Sequence, residues 1–594
     1  METRLRILVA LLAGALALPA LATGRHHDRD DDDRDTRKVK RAEALALVNG
    51  RIHTMDAKNR VVSEVLIENG RFVEVGRRVD RSGRVKVIDL RGKTVIPGII
   101  DAHNHIVLVG NRPGWHIGME HVFTIPDALA EYRAFAAGLD KAGVPADQFV
   151  TTIGPISAIQ FAENRLPNCE EMNSISSTRP VYIQAAQGGI RANAVAAAWF
   201  AAQPTTPPIA FDAVTCALIP AAPGLQNGPA LQTLRIRFLT PDTPETRAAR
   251  KRNAADALQY FTSLGITTHG DSGAFHAETA SNGIASENTY TMHFPFMELQ
   301  RERKLPARLR IDFLHQDSAT AEPPLPTLAP RLRNSFQFFG DDWMRTAGIG
   351  EFTGGGVPGL VAIGKAGWRG EDHSLSLNNF LTLVANRQLA HNQMVAEGFP
   401  DGISKLRWRI SHVPGTTPES VAQWKGLGGG LLVGWGPTRG AAASGQPIGP
   451  AYRSLYDSGI PLGWHSDGGD ITVISPWLNF YSTITGKSLR GMHDATTPLA
   501  NAGNTITRQE TLRMATAANK WFTAENDLGS IEPGNHGDLV VLDRDFFDSS
   551  RVPDADIPRI RSLLTVIGGQ IKYDAGFFGK HKGDKDDDDD DDDD

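Results

Sequence analysis

The stretch "TVIPGIIDAHNHIVLVG", Thr94 to Gly110, decides how this chain is read. It has the apolar composition of a buried strand, yet it carries His103 and His105 one residue apart, behind Asp101 and a Pro97-Gly98 turn. In an extended strand, residues i and i+2 share a face with Cα atoms roughly 6.5 Å apart, so the two imidazoles project together. Both Nε2 atoms then reach one cation at about 2.0–2.1 Å. Two buried imidazoles with neither a cation nor carboxylates beside them would carry a desolvation cost. A lone histidine on an apolar face is usually a satisfied core residue, whereas this pair at a strand end reads as metal ligands.

The surrounding sequence supplies a frame for such a strand. At 594 residues the chain is long enough for several domains. From Pro97 to about residue 524, apolar strand-like runs alternate with Ala-rich helical stretches such as "TRAARKRNAADALQYFTSLG" and "ESVAQWKGLGG". That alternation predicts a parallel sheet with crossover helices, and the length fits an α/β architecture of the (β/α)8 TIM-barrel type. Residues 43–96 and 525–575 instead give short alternating segments with Asn-Gly and Arg-Gly turns, predicting antiparallel hairpins that build one small β-sandwich from both ends of the chain. Gly143 to Pro241 and Ala274 to Phe339 read as long inserts in the barrel.

The termini read differently. Residues 1–22 contain Arg4 and Arg6, an apolar run from Ile7 to Leu18 and an Ala20-Leu21-Ala22 cleavage site, the layout of a signal peptide. A membrane anchor is the alternative, and no other apolar run is long enough to span a bilayer. Residues 23–42 and 576–594 are charge-dense and read as a disordered linker and a disordered acidic tail. The net charge of −6 owes much to Asp586–Asp594; without those nine aspartates the remainder is +3. With no basic patch interleaved with aromatics, the sequence gives no support for nucleic-acid binding. The expected setting is secreted or periplasmic, with no membrane in the mature form, a small-molecule substrate, and room for a homo-oligomer. Export leaves two readings for Cys169 and Cys216, a disulfide or two isolated thiols.

"VIPGIIDAHNH" resembles the P-G-x-x-D-x-H-x-H signature of metal-dependent amidohydrolases. "RPVYIQAAQGGIRANAVAAAWF", "LGITTHGD", "LRWRISHV", "GPAYRSLYDSGIPLGWHSD", "MATAANKWF" and "LGSIEPGNHGDLVVLDRD" resemble, in order, segments of the YtcJ-like branch, which includes N-substituted formamide deformylases. The resemblance implies a barrel whose ligands come from the first, fifth, sixth and eighth strands. The matching residues are His103 and His105, His373 in "GWRGEDHSLSLNNF", His412 in "RISHV" and Asp467 in "WHSD". Imidazoles with one carboxylate suit one or two divalent ions, Zn2+ foremost.

The chain departs from the pattern at the fourth strand. Many relatives place there a lysine that is carbamylated to bridge two metals, whereas "DDWMRTAGIGEFTGGG" offers Glu351, with Lys365 in "VAIGKAGW" as the fallback. His269 and Asp271 in "TTHGDSG" follow what reads as the third strand and line the pocket or support a ligand. His465, two before Asp467, touches substrate or packs behind the ligands. Trp115 and His116 in "NRPGWH" read as loop contacts to substrate.

The function implied is hydrolysis of a C–N bond, in an amide, N-acyl, N-formyl or cyclic amide, by a metal-bound hydroxide. Asp467 would act as base and then acid, and His412 or His373, where not fully committed to metal, would steady the oxyanion. The competing readings are a non-hydrolytic isomerase or decarboxylase on the same scaffold, and an exported metal- or ligand-binding protein without turnover.

Overall fold

The computed structural model describes residues 44–186, 190–203, 209–219, 233–234, 243–273, 292–434, 449–469, 472–501 and 503–579. The segments read as signal peptide, charged linker and acidic tail lie outside these residues, apart from Gly576–Gly579.

Eight parallel strands carry the site: β1 (Ile99–Asn104), β2 (Ile266–Asp271), β3 (Arg308–Phe313), β4 (Met344–Ile349), β5 (Glu371–His373), β6 (Arg409–Ser411), β7 (Gly430–Val433) and β8 (Leu462–Trp464). They form two four-stranded sheets, β1-β2-β3-β4 and β5-β6-β7-β8, each in chain order. One seam between the sheets is spanned by a parallel bridge from Ile349 to Gly370. At the other, Asp467 N–H donates to His103 C=O at 3.1 Å and His105 N–H to Gly468 C=O at 2.8 Å. Every residue of β1, β2 and β3 is buried, as expected for strands covered on both faces.

The connecting helices begin where the sequence marks them. Thr243 caps Pro244–Ser263 and Thr417 caps Pro418–Gly426; each hydroxyl accepts an N–H of the first turn, and each cap is followed by a proline at the first helical position.

Two expectations need correction here. "TTHGD" is the second parallel strand, not the third, and β3 lies inside the stretch 274–339 that reads as an insert. Arg308 and Arg310 disguise β3 by breaking its apolar pattern. Both are buried because Asp538 takes Arg308 at 2.8 and 2.9 Å and Glu525 takes Arg310 at 2.7 and 3.0 Å. These charge-assisted pairs tie the parallel sheet to the C-terminal strands.

Beyond the parallel strands lie a four-stranded and a six-stranded sheet. Leu45, Leu47, Ile52, Val65, Ile67 and Val95 share one buried cluster with Leu539, Val541, Leu564 and Val566. Their pairing is mixed where hairpins were expected. Glu64–Glu68 and Arg71–Gly76 are antiparallel across Asn69-Gly70, whose φ values of 50° and 79° suit a tight hairpin turn. Val85–Asp89, however, runs parallel to Ala44–Val48, and Thr94–Pro97 parallel to Arg51–His53. The local turns encode hairpins, but the chain alternates between two sheets and so sets non-neighbours side by side. Between β1 and β2, Cys169 and Cys216 form a disulfide across 47 residues.

Candidate metal centre

The histidine pair straddles the end of β1. His103 is on the strand, whereas His105 already precedes the short helix Ile106–Gly110, with φ −118° and ψ 50°. The two are therefore not strict i, i+2 partners on one strand, yet their ring centres lie 5.4 Å apart. His412 and Asp467 follow β6 and β8 in the left-handed region, at φ 68° and 52°. For residues with a Cβ this conformation costs of order 1–3 kcal/mol and clusters at functional sites. Glu351 follows β4, and His373 ends β5.

These side chains converge at the C-terminal ends of the strands. One ligand atom from each of His103, Glu351, His412 and Asp467 lies within 4.8 Å of the others, and all four residues are buried. Asp467 Oδ1 stands 3.3 Å from the Nε2 of both His103 and His105; Glu351 Oε2 is 3.4 Å from His105 Nε2. His412 Nε2 lies 3.8 Å from Asp467 and 3.9 Å from Glu351. His373 is in contact with Glu351 Oε1 through its Nδ1 and stacks edge-on against Phe352. Lys365 is elsewhere, ending the helix Gly356–Lys365 in an ion pair with Glu397. Of the two fourth-strand candidates, the structure brings only Glu351 to the centre.

The donor set fits a divalent cation. Burial opposes charge on every member. For Asp467 it is outweighed by His412, His103 and His105, which hold the carboxylate well below its usual range. For His105 it is outweighed by Asp467 and Glu351, which push the imidazole up to about 9, and for His103 by Glu371 and Asp467, which hold the imidazole well above its usual range. His103 and His105 thus balance the negative charge of the carboxylates, whereas burial lowers the imidazole of His412. Asp467 Oδ1, Glu351 Oε2 and His103 Nε2 are buried without a well-formed hydrogen bond among the described residues. Imidazole and carboxylate donors converging on one buried point are the ligand chemistry of a Zn2+-like ion.

Residues 86–573 match the model of the Amidohydrolase family. The chain belongs to the amidohydrolase family. Among curated relatives, it is 28% identical over 145 residues to the N-substituted formamide deformylase of Arthrobacter pascens, a match covering 23% of this chain and 26% of that protein. It is 49% identical over 55 residues to the imidazolonepropionase of Geobacillus kaustophilus (strain HTA426), covering 8% and 13%. The matches thus span about a quarter or less of these relatives. A solved structure of an uncharacterized metal-dependent hydrolase from Pyrococcus furiosus superposes with a TM-score of 0.51 at 17% identity, covering 85% of this chain and all of the other. That likeness is one of fold.

Supports of the centre in this amidohydrolase escape a reading of sequence alone. Glu371, on β5 two residues before His373, takes the Nδ1 of His103 and is itself gripped by Arg409, which also contacts Asp312. A carboxylate on Nδ1 fixes the tautomer that turns the Nε2 lone pair toward the centre. His105 is held the same way, its Nδ1 lying 2.7 Å from Gly273 C=O. Asp101, the carboxylate of the signature, accepts from Ser466 N–H at 2.9 Å and from its hydroxyl at 2.5 Å, pinning the turn that presents Asp467.

The remaining candidates have other partners. His269 faces Asn104 Nδ2 at 2.9 Å, and burial pulls its imidazole down to about 3. Asp271 accepts the Val107 N–H at 2.9 Å, steadying the helix behind His105. His116 donates to Arg112 C=O at 2.9 Å, and Trp115 lies beneath the Arg252 guanidinium at 3.9 Å. His465, by contrast, sits within the centre, its ring 4.9 Å from those of His103 and His412.

Proposed function

We propose that this chain is an exported, zinc-dependent hydrolase of carbon–nitrogen bonds in small molecules, acting on an amide, N-acyl, N-formyl or cyclic amide group. The observation that carries the reading is the buried convergence of His103, Glu351, His412 and Asp467 at the C-terminal ends of parallel strands, where barrel enzymes place their chemistry. The matched relatives named as a formamide deformylase and an imidazolonepropionase support the C–N class. The order of the two parallel sheets and the contacts at both seams support a closed (β/α)8 barrel, and the shared apolar cluster of the flanking sheets supports a small sandwich beside it. The disulfide supports an oxidising compartment, and so the signal-peptide reading of residues 1–22. No helix among the described residues is long and apolar enough to cross a membrane.

His103, His105, His412 and Asp467 would hold the ion, with Glu351 and His373 as further ligands of it or of a second ion. A bound divalent ion supplies an acidified water and a polarised scissile carbonyl. Asp467 is the proton carrier: held ionised among imidazoles, its carboxylate takes the proton of the attacking water and delivers it to the departing nitrogen. Glu371 and Gly273 keep His103 and His105 turned toward the centre throughout.

The test is elemental analysis of the purified protein together with a screen of N-formyl, N-acyl and cyclic amide compounds. The reading expects about one or two zinc ions per chain and amine release that chelation abolishes. A metal-free protein that still turns these compounds over, or a metal-loaded one that hydrolyses none, would reject it.

A further inference from the structure

Among the described residues, His465 presents an imidazole to the rings of His103 and His412 without a partner of its own. It is fully buried, and neither ring nitrogen has a hydrogen-bond partner among the described residues. Whatever its tautomer, such a ring sets a polar nitrogen on each side. Leaving buried polar groups unmatched costs about 1–3 kcal/mol each. A position filled only for packing would carry an apolar side chain at lower cost.

The rings around it show what it faces. Two imidazoles bound through Nε2 to one tetrahedral ion have ring centres roughly 5 Å apart, given Zn–N distances of about 2.0–2.1 Å. His103 and His105 are 5.4 Å apart, and so are His103 and His412. His465 stands 4.9 Å from both His103 and His412, inclined to them at 56° and 68° rather than stacked flat. It thus repeats, toward two ligand residues at once, the spacing that those residues keep among themselves. It also shares the segment after β8 with Asp467, anchored through Ser466 to Asp101. Gly434 leaves the room for that segment: a Cβ there would fall 1.6 Å from His465 C=O.

We propose that His465 is a further nitrogen ligand of the metal centre, binding the ion held by His103 and His412. The proposal rests on the metal-dependent reading above and adds an imidazole to its ligand set. An added neutral ligand leaves less room for water and substrate on the ion and moderates its Lewis acidity.

The experiment uses the full chain loaded with Co2+, whose visible absorption reports coordination number and ligand type, and with Zn2+ for X-ray absorption. Wild type, His465→Gly and His465→Gln are compared, with melting temperatures to confirm folding. The expected result is a changed cobalt spectrum in both variants, one fewer imidazole per zinc, and return of the wild-type spectrum when free imidazole is added to His465→Gly. Spectra and imidazole counts identical to wild type in either folded variant would overturn the proposal while leaving the hydrolase reading standing. Failure of the wild-type protein to take up either ion would overturn both.

Discussion

The Nδ1 of His103 is bound by the carboxylate of Glu371, a residue 268 positions away on β5, and the same carboxylate is held by Arg409. This places a negative group directly behind the imidazole proposed as a ligand and fixes which nitrogen faces the centre. Glu371→Gln should weaken metal affinity by roughly 10–100-fold, because an amide can donate to Nδ1 and so turn an N–H, instead of a lone pair, toward the centre. Competition against a zinc chelator measures this. An unchanged dissociation constant in a folded variant would remove Glu371 from that role.

A substitution at Asp467 would separate the proposed metal binding from the proposed chemistry. Asp467→Asn keeps one ligand oxygen and the shape of the site but cannot carry a proton. The expected outcome is a normal fold, a largely retained metal, and kcat lowered by roughly 10²–10⁴. Turnover within a few-fold of wild type, on whichever compound the screen identifies, would assign the proton to another group.

How much of this was legible in the sequence depends on distance along the chain. His103, His105, His412 and Asp467 each stand at or just beyond a short apolar run, so a strand-end donor can be read locally. Glu351 could be read only as one of two candidates, because its place at the centre shows only where His105 and His373 meet it. Glu371 gave no local signal, and the signature marks Asp101 without showing what it holds. Their meaning is a partner, His103 in one case and Ser466, 365 residues away, in the other. β3 was hidden for an electrostatic reason, since Arg308 and Arg310 become strand-core residues only once Asp538 and Glu525 neutralise them. The mixed pairing of the flanking sheets escaped because turn signals specify neighbours in sequence, not strands brought together by the chain's return.

Glu351 touches both halves of the centre, His105 on one side and His373 and His412 on the other. If it bridges two ions, Glu351→Gln should lower the metal content from two per chain toward one while His103 and His105 still hold theirs. Replacing His103 and His105 together with Ala should remove the remainder. Elemental analysis of the three proteins decides the matter: a count unchanged by Glu351→Gln rejects the bridge, and one unchanged by the double substitution rejects the histidine pair as ligands.

Glu120 should make the stability of this protein depend on pH. Its carboxyl is buried; Oε1 accepts the Ile474 N–H at 3.1 Å, in the segment leading from Asp467 into the helix Pro476–Thr485. Burial raises its pKa to about 7, with the Ile474 and Ser475 N–H groups opposing part of the rise. The unfolded chain releases this proton near the ordinary value of 4.5. Between the two values the folded state binds the proton more tightly, so the carboxyl favours folding at low pH. That contribution is lost as pH rises from 4.5 to 7, with nothing further lost above. A shift of this size corresponds to about 3 kcal/mol. Glu120→Gln cannot ionise, so wild type should lose stability relative to the variant between pH 5 and pH 8, read as the difference of their urea midpoints at each pH. A difference that stays constant across that interval would mean that the buried carboxyl does not change its charge there.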